Sequence, residues 1–266
     1  MYKLTDKEKK LLQRVSSSYY MEPILGELAK KSGLRRNGLR YALASCNKMA
    51  AQRWKKAFDH LHEVLVNSQG KVELLLEERQ RKGEIKSKDQ ARKSIAGNAF
   101  ANLLIYTFLR NKECENIPPH IFINNRVSEV KGFQNLAVIQ VGDETQKPDV
   151  DVVVYTVKDD GVVDKSIILS LKTSLRERVG QTYKWKLLLE IATTDNPIKD
   201  KYGIKYALGN PPLVCFATVN FYEEIDQPQH RGMFKFFDGA FIAKPIERDF
   251  IKPLSALVDF VSERLS

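Results

Sequence analysis

The feature that most constrains this chain is a change in the spacing of its apolar residues near Pro118. Before Pro118 the apolar residues recur at the three- and four-residue intervals of amphipathic helices, and after it short β-branched runs predict strands. We predict helices over 7–15, 21–31, 38–49, 50–66, 72–80, 87–109, 181–192 and 248–265, and strands over 120–124, 137–141, 150–157, 166–172 and 213–219. The pattern indicates an all-helical amino-terminal region followed by a mixed α/β fold.

Composition narrows the class of partner and compartment. The 43 Lys and Arg residues against 33 Asp and Glu give a net charge of +10, which favours a polyanionic partner without establishing one. No apolar run approaches the roughly 20 residues that cross a bilayer. Three separated cysteines, Cys46, Cys114 and Cys215, predict neither a zinc site nor a disulfide. We therefore expect a cytoplasmic protein in a reducing compartment.

A polar stretch at 83–88 marks the expected junction between the two regions. We predict a helical subdomain at 1–84, which binds DNA or mediates oligomerisation, and a catalytic domain at 85–266. The first helix of the catalytic domain is expected to begin at a capping box opened by Ser87.

The helical region contains a second candidate DNA-binding element. Residues 28–43 have the spacing of a helix-turn-helix, with Gly33 at the turn and Arg35, Arg36 and Arg40 positioned to face DNA. The alternative interpretation is a packing or oligomerisation surface, because the same spacing recurs in helical bundles that bind no DNA.

Two charged residues stand one β-hairpin apart in the α/β region. Asp149 follows Pro148 at the start of a predicted strand, and Lys172 ends the next one. Adjacent antiparallel strands would bring Asp149 and Lys172 to one edge of the sheet. Phosphodiester hydrolysis needs a carboxylate that holds a divalent cation and a positive group near the attacking water. The pair indicates a nuclease with Mg²⁺ as cofactor, because Mg²⁺ prefers carboxylate, phosphate and water oxygens.

A cluster suited to reading bases follows the lysine directly. Arginine can bond bidentately to guanine O6 and N7, and glutamate can accept from cytosine N4, so Arg176, Glu177 and Arg178 fit G·C pairs. Seen alone, such a triplet is more often the solvated, charged start of a helix. Its position beside Lys172 favours base recognition coupled to cleavage.

These residues carry a family resemblance. Pro148-Asp149 followed by the segment Ser170 to Arg178 resembles type II restriction endonucleases of the PD-(D/E)XK superfamily, in particular the branch that recognises CCGG. The resemblance implies a PD-(D/E)XK nuclease-like mixed sheet flanked by helices. It also implies Asp149 as a metal ligand, Lys172 as the catalytic lysine and Arg176, Glu177 and Arg178 as base readers.

The resemblance does not identify the second metal-binding carboxylate. Ser170 occupies the position where the superfamily usually has an acid, and in the CCGG-recognising branch that acid lies on the following helix. Glu190 is the candidate on that helix, although it lies farther from the lysine than is usual, and Glu177 and Asp151 are the alternatives. Ala101 stands where several relatives carry an upstream glutamate.

We therefore predict an Mg²⁺-dependent type II restriction endonuclease that cleaves both strands of double-stranded DNA at a palindromic site containing CCGG. A palindrome requires two identical readers related by a twofold axis, so we expect a homodimer. The alternatives are a repair or recombination nuclease of the same superfamily, which reads DNA structure, and a noncatalytic regulator that binds DNA through a helix-turn-helix.

Overall fold

The computed structural model describes residues 1–32, 46–175 and 178–266. The chain divides into two compact units. Unit 1 comprises Met1–Pro119, Ile242–Glu247 and Pro253–Ser262, and unit 2 comprises His120–Phe241, Arg248–Lys252 and Glu263–Ser266. Among the described residues, none of the helices combines the length and apolar character that a membrane crossing requires. The functional boundary expected between residues 84 and 85 stays a prediction.

Unit 1 contains the amino-terminal helices. They are α1 Asp6–Ser16, α2 Met21–Lys31, α3 Lys48–Ala57, α4 Leu61–Arg81 and α5 Lys88–Glu113. The Ser87 half of the expected capping box is present at the start of α5, because the Ser87 hydroxyl accepts the Gln90 N–H at 3.3 Å. The helical character predicted for this region is confirmed for the described residues, whereas the helix predicted over 38–49 lies largely outside them.

One predicted break in these helices was wrong. The sequence suggested an interruption at 67–71, around Gly70, whereas α4 continues through it and the break lies at the 3₁₀ turn Phe58–His60. A glycine inside a helix costs only about 1 kcal/mol. Burial of Leu65, Val72 and Leu76 along one face of α4 exceeds that cost.

The prediction that the chain forms no disulfide was also wrong. Cys46 and Cys114 are joined, with their Cα atoms 5.3 Å apart. The two residues lie 68 positions apart in the sequence, so no local spacing signals the pair. Cys114 is the carboxyl-terminal cap of α5, and Cys46 precedes Asn47, which caps α3. Cys215 is a buried free thiol whose pKa is raised well above its usual value by burial.

Unit 2 is built on a mixed sheet in the order β1-β4-β5-β7-β8-β9, accompanied by a three-stranded sheet in the order β3-β2-β6. The strands are β1 Phe122–Asn124, β2 Ile139–Val141, β3 Glu144–Gln146, β4 Val152–Val157, β5 Val163–Lys172, β6 Ile204–Lys205, β7 Leu213–Thr218, β8 Gly239–Ile242 and β9 Lys252–Pro253. Its helices are α6 Phe133–Leu136, α7 Arg178–Thr193, α8 Pro197–Tyr202 and α9 Pro228–Phe234. The last helix, α10 Leu257–Arg264, belongs mostly to unit 1. The mixed α/β, nuclease-like architecture predicted from the sequence is confirmed.

The centre of the main sheet determines which residues meet at its edge. β4 and β5 run antiparallel, with Val152 opposite Leu169. β5 and β7 run parallel, with Lys172 opposite Thr218, and the connection between them contains α7 and α8. Because parallel strands end on the same side, the residues that follow β5 and β7 lie next to each other.

The last predicted helix is shorter than expected. In place of a helix over 248–265, the chain forms β9, a 3₁₀ turn at Leu254–Ala256 and then α10. Pro253 explains the difference, because proline lacks the N–H that a helix interior needs and disfavours a helical conformation at the preceding residue.

Candidate active site

A nearly buried lysine lies between two aspartates at the end of β5. The Lys172 side chain is 8% exposed, and its Nζ atom lies 2.9 Å from Asp151 Oδ2 and 3.6 Å from Asp149 Oδ2. A buried ammonium group is stabilised only when it is paired. The structure therefore brings together Asp149 and Lys172, the two residues to which the sequence assigned the chemistry.

The hairpin of β4 and β5 produces this arrangement. β4 begins at Val152, so Asp149 and Asp151 precede the strand and lie beside the last residues of β5. Asp151 is fixed in place, since Oδ2 accepts the Leu171 N–H at 2.7 Å as well as the lysine amine. Asp149 differs from it, because 72% of its side chain is exposed to solvent.

The donor set suits a hard divalent cation. Two carboxylates converge on Lys172, and one of them is largely exposed, so oxygen atoms are available to a cation from solvent. Mg²⁺ is commonly held by one or two carboxylates while it keeps several waters. Among the described residues, no group of three or more His, Cys, Asp or Glu side chains is placed to hold a metal. The residues thus fit a cation that is bound partly by water or by substrate.

Ser170, at the position where the superfamily usually carries an acid, faces α7. Its hydroxyl is fully buried and lies 2.8 Å from Thr182 Oγ1. Thr182 is therefore the helix residue whose side chain contacts Ser170. The pair joins α7 to the central strand, two residues before Lys172.

Glu190 makes a different contact. Its Oε1 atom lies 2.5 Å from Lys186 Nζ, and the same amine lies 3.0 and 2.9 Å from the two oxygens of Asp238. Glu190 follows Thr182 by eight residues, which is about 12 Å along a helix. The structure pairs Glu190 with Lys186 and Asp238, and no hydrogen bond or ion pair joins it to Asp149 or Lys172 among the described contacts.

The Lys186 ion pairs also affect protonation. Burial alone would lower the pKa of Lys186, yet its hydrogen bonds with Glu190 and Asp238 together raise that pKa above its usual value. Asp238 Oδ2 in addition accepts the Val214 N–H at 2.7 Å. This cluster links α7 to the start of β7.

The cluster predicted to read bases is described only in part. Arg176 and Glu177 lie outside the described residues, and Arg178 is described only as the first residue of α7. The proposed helix-turn-helix likewise lies largely outside them, from residue 33 onward. The chain leading to the cluster is described as far as Leu175, whose N–H donates to Glu224 Oε2 at 2.8 Å.

Sequence reasoning did not single out Thr182, Asp238 or Glu224. Each reaches its partner across the tertiary structure, from a separate helix, strand end or turn, so no local spacing predicts the contact. Asp151 carried a weak signal, because it stands two residues after Asp149 and was an alternative metal ligand. A strand start at Val152, which the structure shows, would have strengthened that signal, because it places Asp151 directly before β4.

Comparison with known proteins supports the resemblance. No curated protein matches the chain. The family model described as BsaWI restriction endonuclease type 2 matches residues 126–260, just over half of the chain, and this range includes Asp149, Lys172 and the Arg-Glu-Arg cluster. Chain length and the helical amino-terminal region predict a likeness to BsaWI within the CCGG-recognising branch, and the match confirms that likeness at the level of the family. The chain therefore belongs to the BsaWI family of type II restriction endonucleases and is a site-specific deoxyribonuclease.

Proposed function

We propose that this enzyme is an Mg²⁺-dependent homodimer that cleaves both strands of DNA at a palindromic site containing CCGG. The observation that carries the proposal is Lys172, held between Asp149 and Asp151 at the end of β5. Family membership supports site-specific cleavage over a noncatalytic regulator or a nuclease that reads DNA structure.

Asp149 and Asp151 are the proposed metal ligands. Asp149 offers an exposed carboxylate, and Asp151 is held at a fixed position by the Leu171 N–H. Bound there, a divalent cation supplies Lewis-acid polarisation of the scissile phosphate. Restriction endonucleases generally use divalent cations, and the all-oxygen donor set favours Mg²⁺. Glu190 is the less supported second ligand, because its carboxylate is paired with Lys186.

Lys172 provides a positive charge directly at the proposed metal site. Its amine is restrained by Asp151 and lies 3.6 Å from Asp149, so it can orient the attacking water and stabilise charge that develops on the phosphate. Ser170 acts indirectly in this proposal, because its hydrogen bond with Thr182 fixes α7 against the strand that carries Lys172.

Arg176, Glu177 and Arg178 are the proposed base readers. The donor and acceptor pattern of two arginines and one glutamate complements adjacent G·C pairs in the major groove. Their place immediately after the strand that ends at Lys172 supports coupling between recognition and cleavage.

A palindromic site requires two copies of this cluster related by a twofold axis, which is the basis for proposing a homodimer. The net charge of +10 supports association with DNA through phosphate neutralisation. We propose a cytoplasmic location, where DNA is the accessible substrate, and note that such a compartment favours reduction of the Cys46–Cys114 pair.

The test is to incubate the purified protein with unmethylated plasmid DNA in Mg²⁺ and, separately, in Ca²⁺, and to sequence the fragment ends. We expect discrete ends at CCGG-containing sites in Mg²⁺ only, and none with an Asp149→Ala variant. Discrete ends at sites without CCGG would contradict the proposed specificity, and ragged ends would contradict site-specific cleavage.

A further inference from the structure

The chain that leaves the proposed catalytic strand is joined to a turn that follows β7. We refer to residues 218–224 as the Glu224 turn. Lys172 pairs with Thr218 in the parallel register, and the Thr173 carbonyl accepts the Phe221 N–H at 3.2 Å. Further along, the Leu175 N–H donates to Glu224 Oε2 at 2.8 Å. These contacts continue from Lys172 to the residue directly before Arg176.

The Glu224 turn is internally fixed. The Asn220 N–H donates to Thr218 Oγ1 and the Glu224 N–H donates to Asn220 Oδ1, both at 2.8 Å. His230 Nδ1 lies 2.8 Å from the Glu224 carbonyl oxygen, which accepts a hydrogen bond from the ring N–H. Thr218, Asn220, Glu224 and His230 are all buried. The turn therefore has a defined conformation of its own and can act as a template for the chain beside it.

Backbone conformation supports the same conclusion. Asn220 has a φ of 49° and Glu223 a φ of 53°, in the left-handed region that residues other than glycine rarely adopt. Asparagine tolerates this region, but glutamate does so at a cost, and such conformations persist where the surrounding contacts impose them. The hydrogen bonds of Asn220 and Glu224 are the contacts that impose it here.

The Glu224 side chain has a position that packing alone does not require. A buried carboxylate is costly unless it is hydrogen-bonded. Glu224 as a whole is 8% exposed, and its Oε2 atom accepts the Leu175 N–H and, at 3.3 Å, the Ser174 hydroxyl. Hydrogen bonds to an ionised acceptor are stronger than those between neutral groups. Glu224 thus fixes two consecutive residues immediately before the Arg-Glu-Arg cluster.

We propose that Glu224 is a positioning residue for sequence recognition: it holds Ser174 and Leu175, the two residues directly before the proposed base-reading cluster, in a fixed place relative to Lys172. This inference rests on the proposed role of Arg176, Glu177 and Arg178. A misplacement of about 1 Å can cost on the order of 100-fold in rate. Loss of the Glu224 contact should therefore lower cleavage at the cognate site more than cleavage at an altered one.

The test compares three substitutions at this position by the ratio of kcat/KM on cognate DNA to kcat/KM on DNA with one base pair of the site changed. Glu224→Ala removes the acceptor, Glu224→Asp withdraws it by one methylene, and Glu224→Gln keeps an acceptor oxygen at the same reach. The cognate site is taken from the wild-type fragment ends. A site without CCGG would overturn the proposed specificity and would still leave the Glu224 comparison measurable.

Asp59 supplies the matched structural control. Its Oδ1 atom accepts the Ser255 N–H at 2.7 Å within unit 1, so Asp59→Ala removes a comparable bond between a carboxylate and a backbone N–H away from the recognition segment. Melting temperatures of all variants show whether the losses of stability are similar. Relative affinities for the two DNAs in Ca²⁺ provide a readout that is independent of cleavage.

We expect Glu224→Ala and Glu224→Asp to lower the discrimination ratio about 10- to 100-fold, with the Ca²⁺ affinities changing in the same sense. Glu224→Gln and Asp59→Ala should keep the ratio within about threefold of wild type. If Glu224→Ala does not fold, Glu224→Asp decides the result. An unchanged ratio in the folded variant that lacks the contact, or an equal fall in Asp59→Ala, would overturn the proposal.

Discussion

Unit 2 contains two lysines that are each paired with two carboxylates, and their surroundings differ. Lys172, at the end of β5, lies between Asp149 and Asp151. Lys186, on α7, lies between Glu190 and Asp238. Both lysine side chains are almost fully buried, at 8% and 6% exposure. The residue types are therefore nearly the same in the two clusters, and composition alone does not distinguish them.

The carboxylates make the difference. Asp238 bonds Lys186 through both of its oxygens and also accepts the Val214 N–H, so its acceptors are used within the protein. Asp149 lies 3.6 Å from Lys172 with most of its surface exposed. Asp149 therefore leaves oxygen atoms accessible to a cation and substrate, whereas in the Lys186 cluster both oxygens of Asp238 bond the lysine, and Glu190, although 47% exposed, lies 2.5 Å from the same amine.

Replacement of the two lysines should give the largest contrast. We expect Lys172→Met to lower the single-turnover cleavage rate about 100- to 1,000-fold, because it removes a positive charge at the reacting phosphate. Lys186→Met should change the rate only a few-fold, on the order of its effect on stability. Rates are measured on cognate DNA in Mg²⁺, with binding in Ca²⁺ as the check that Lys172→Met still binds DNA. Equal losses of cleavage rate in the two variants would contradict the proposed difference between the two clusters.

Substitutions of the carboxylates should differ in the same way in their effect on metal binding. We expect Asp151→Asn to weaken binding of Mn²⁺, used as a substitute for Mg²⁺, by about 10-fold or more, since an amide oxygen is a poorer ligand than a carboxylate. Glu190→Gln should leave Mn²⁺ affinity unchanged, because its partner is Lys186. Calorimetric titration of each variant measures this directly. Weaker Mn²⁺ binding by Glu190→Gln alone would instead assign the second ligand to Glu190.

The two lysine substitutions should rank in the reverse order when the free energy of unfolding is measured. Lys186→Met should lower the free energy of unfolding by about 1–3 kcal/mol, because it removes the partner of a carboxylate that is only 25% exposed. Lys172→Met should cost less, since Lys172 bonds only one oxygen of Asp151 and lies 3.6 Å from the solvated Asp149, whereas Lys186 bonds both oxygens of Asp238 and lies 2.5 Å from Glu190. Urea denaturation of both variants is the measurement. A larger loss for Lys172→Met would show that its cluster has the greater structural role.

The smallest expected effect is a dependence on pH. The raised pKa of Lys186 means that the folded protein holds this proton more tightly than the unfolded chain does. Its contribution to stability should be fully present below the usual value of 10.5 and should be lost as the pH rises through the higher folded value. The difference in stability between wild type and Lys186→Met should thus shrink from neutral pH to strongly alkaline pH in urea titrations. A difference that grows would contradict the pKa assignment.

The sequence predicted those parts of the fold and site that depend on neighbouring elements. Asp149 and Lys172 are separated by a single hairpin, so the spacing alone placed them at one edge of the sheet. Four of the six strands of the main sheet, β1, β4, β5 and β7, were also predicted, because β-branched runs mark them, whereas β8 and β9 were not. The truncated final helix could have been predicted as well, since Pro253 is a local signal.

Contacts between residues that are far apart in the sequence were not predictable in this way. The Cys46–Cys114 disulfide spans 68 positions, and the Leu175 N–H bonds a glutamate 49 positions away. Thr182 reaches Ser170 only because α7 packs on β5. Helical spacing identified Glu190 as an acid on the right helix, but the packing of α7 on β5 decides that Thr182, eight residues earlier, is the residue that contacts Ser170.

The most direct test of the difference between the two clusters is anomalous diffraction from crystals of the enzyme that contain Mn²⁺. We expect a peak in contact with the carboxylates of Asp149 and Asp151, close to Lys172, and no peak at the Lys186 cluster. A peak bound by Glu190 or Asp238, with none at Asp149, would contradict this expectation.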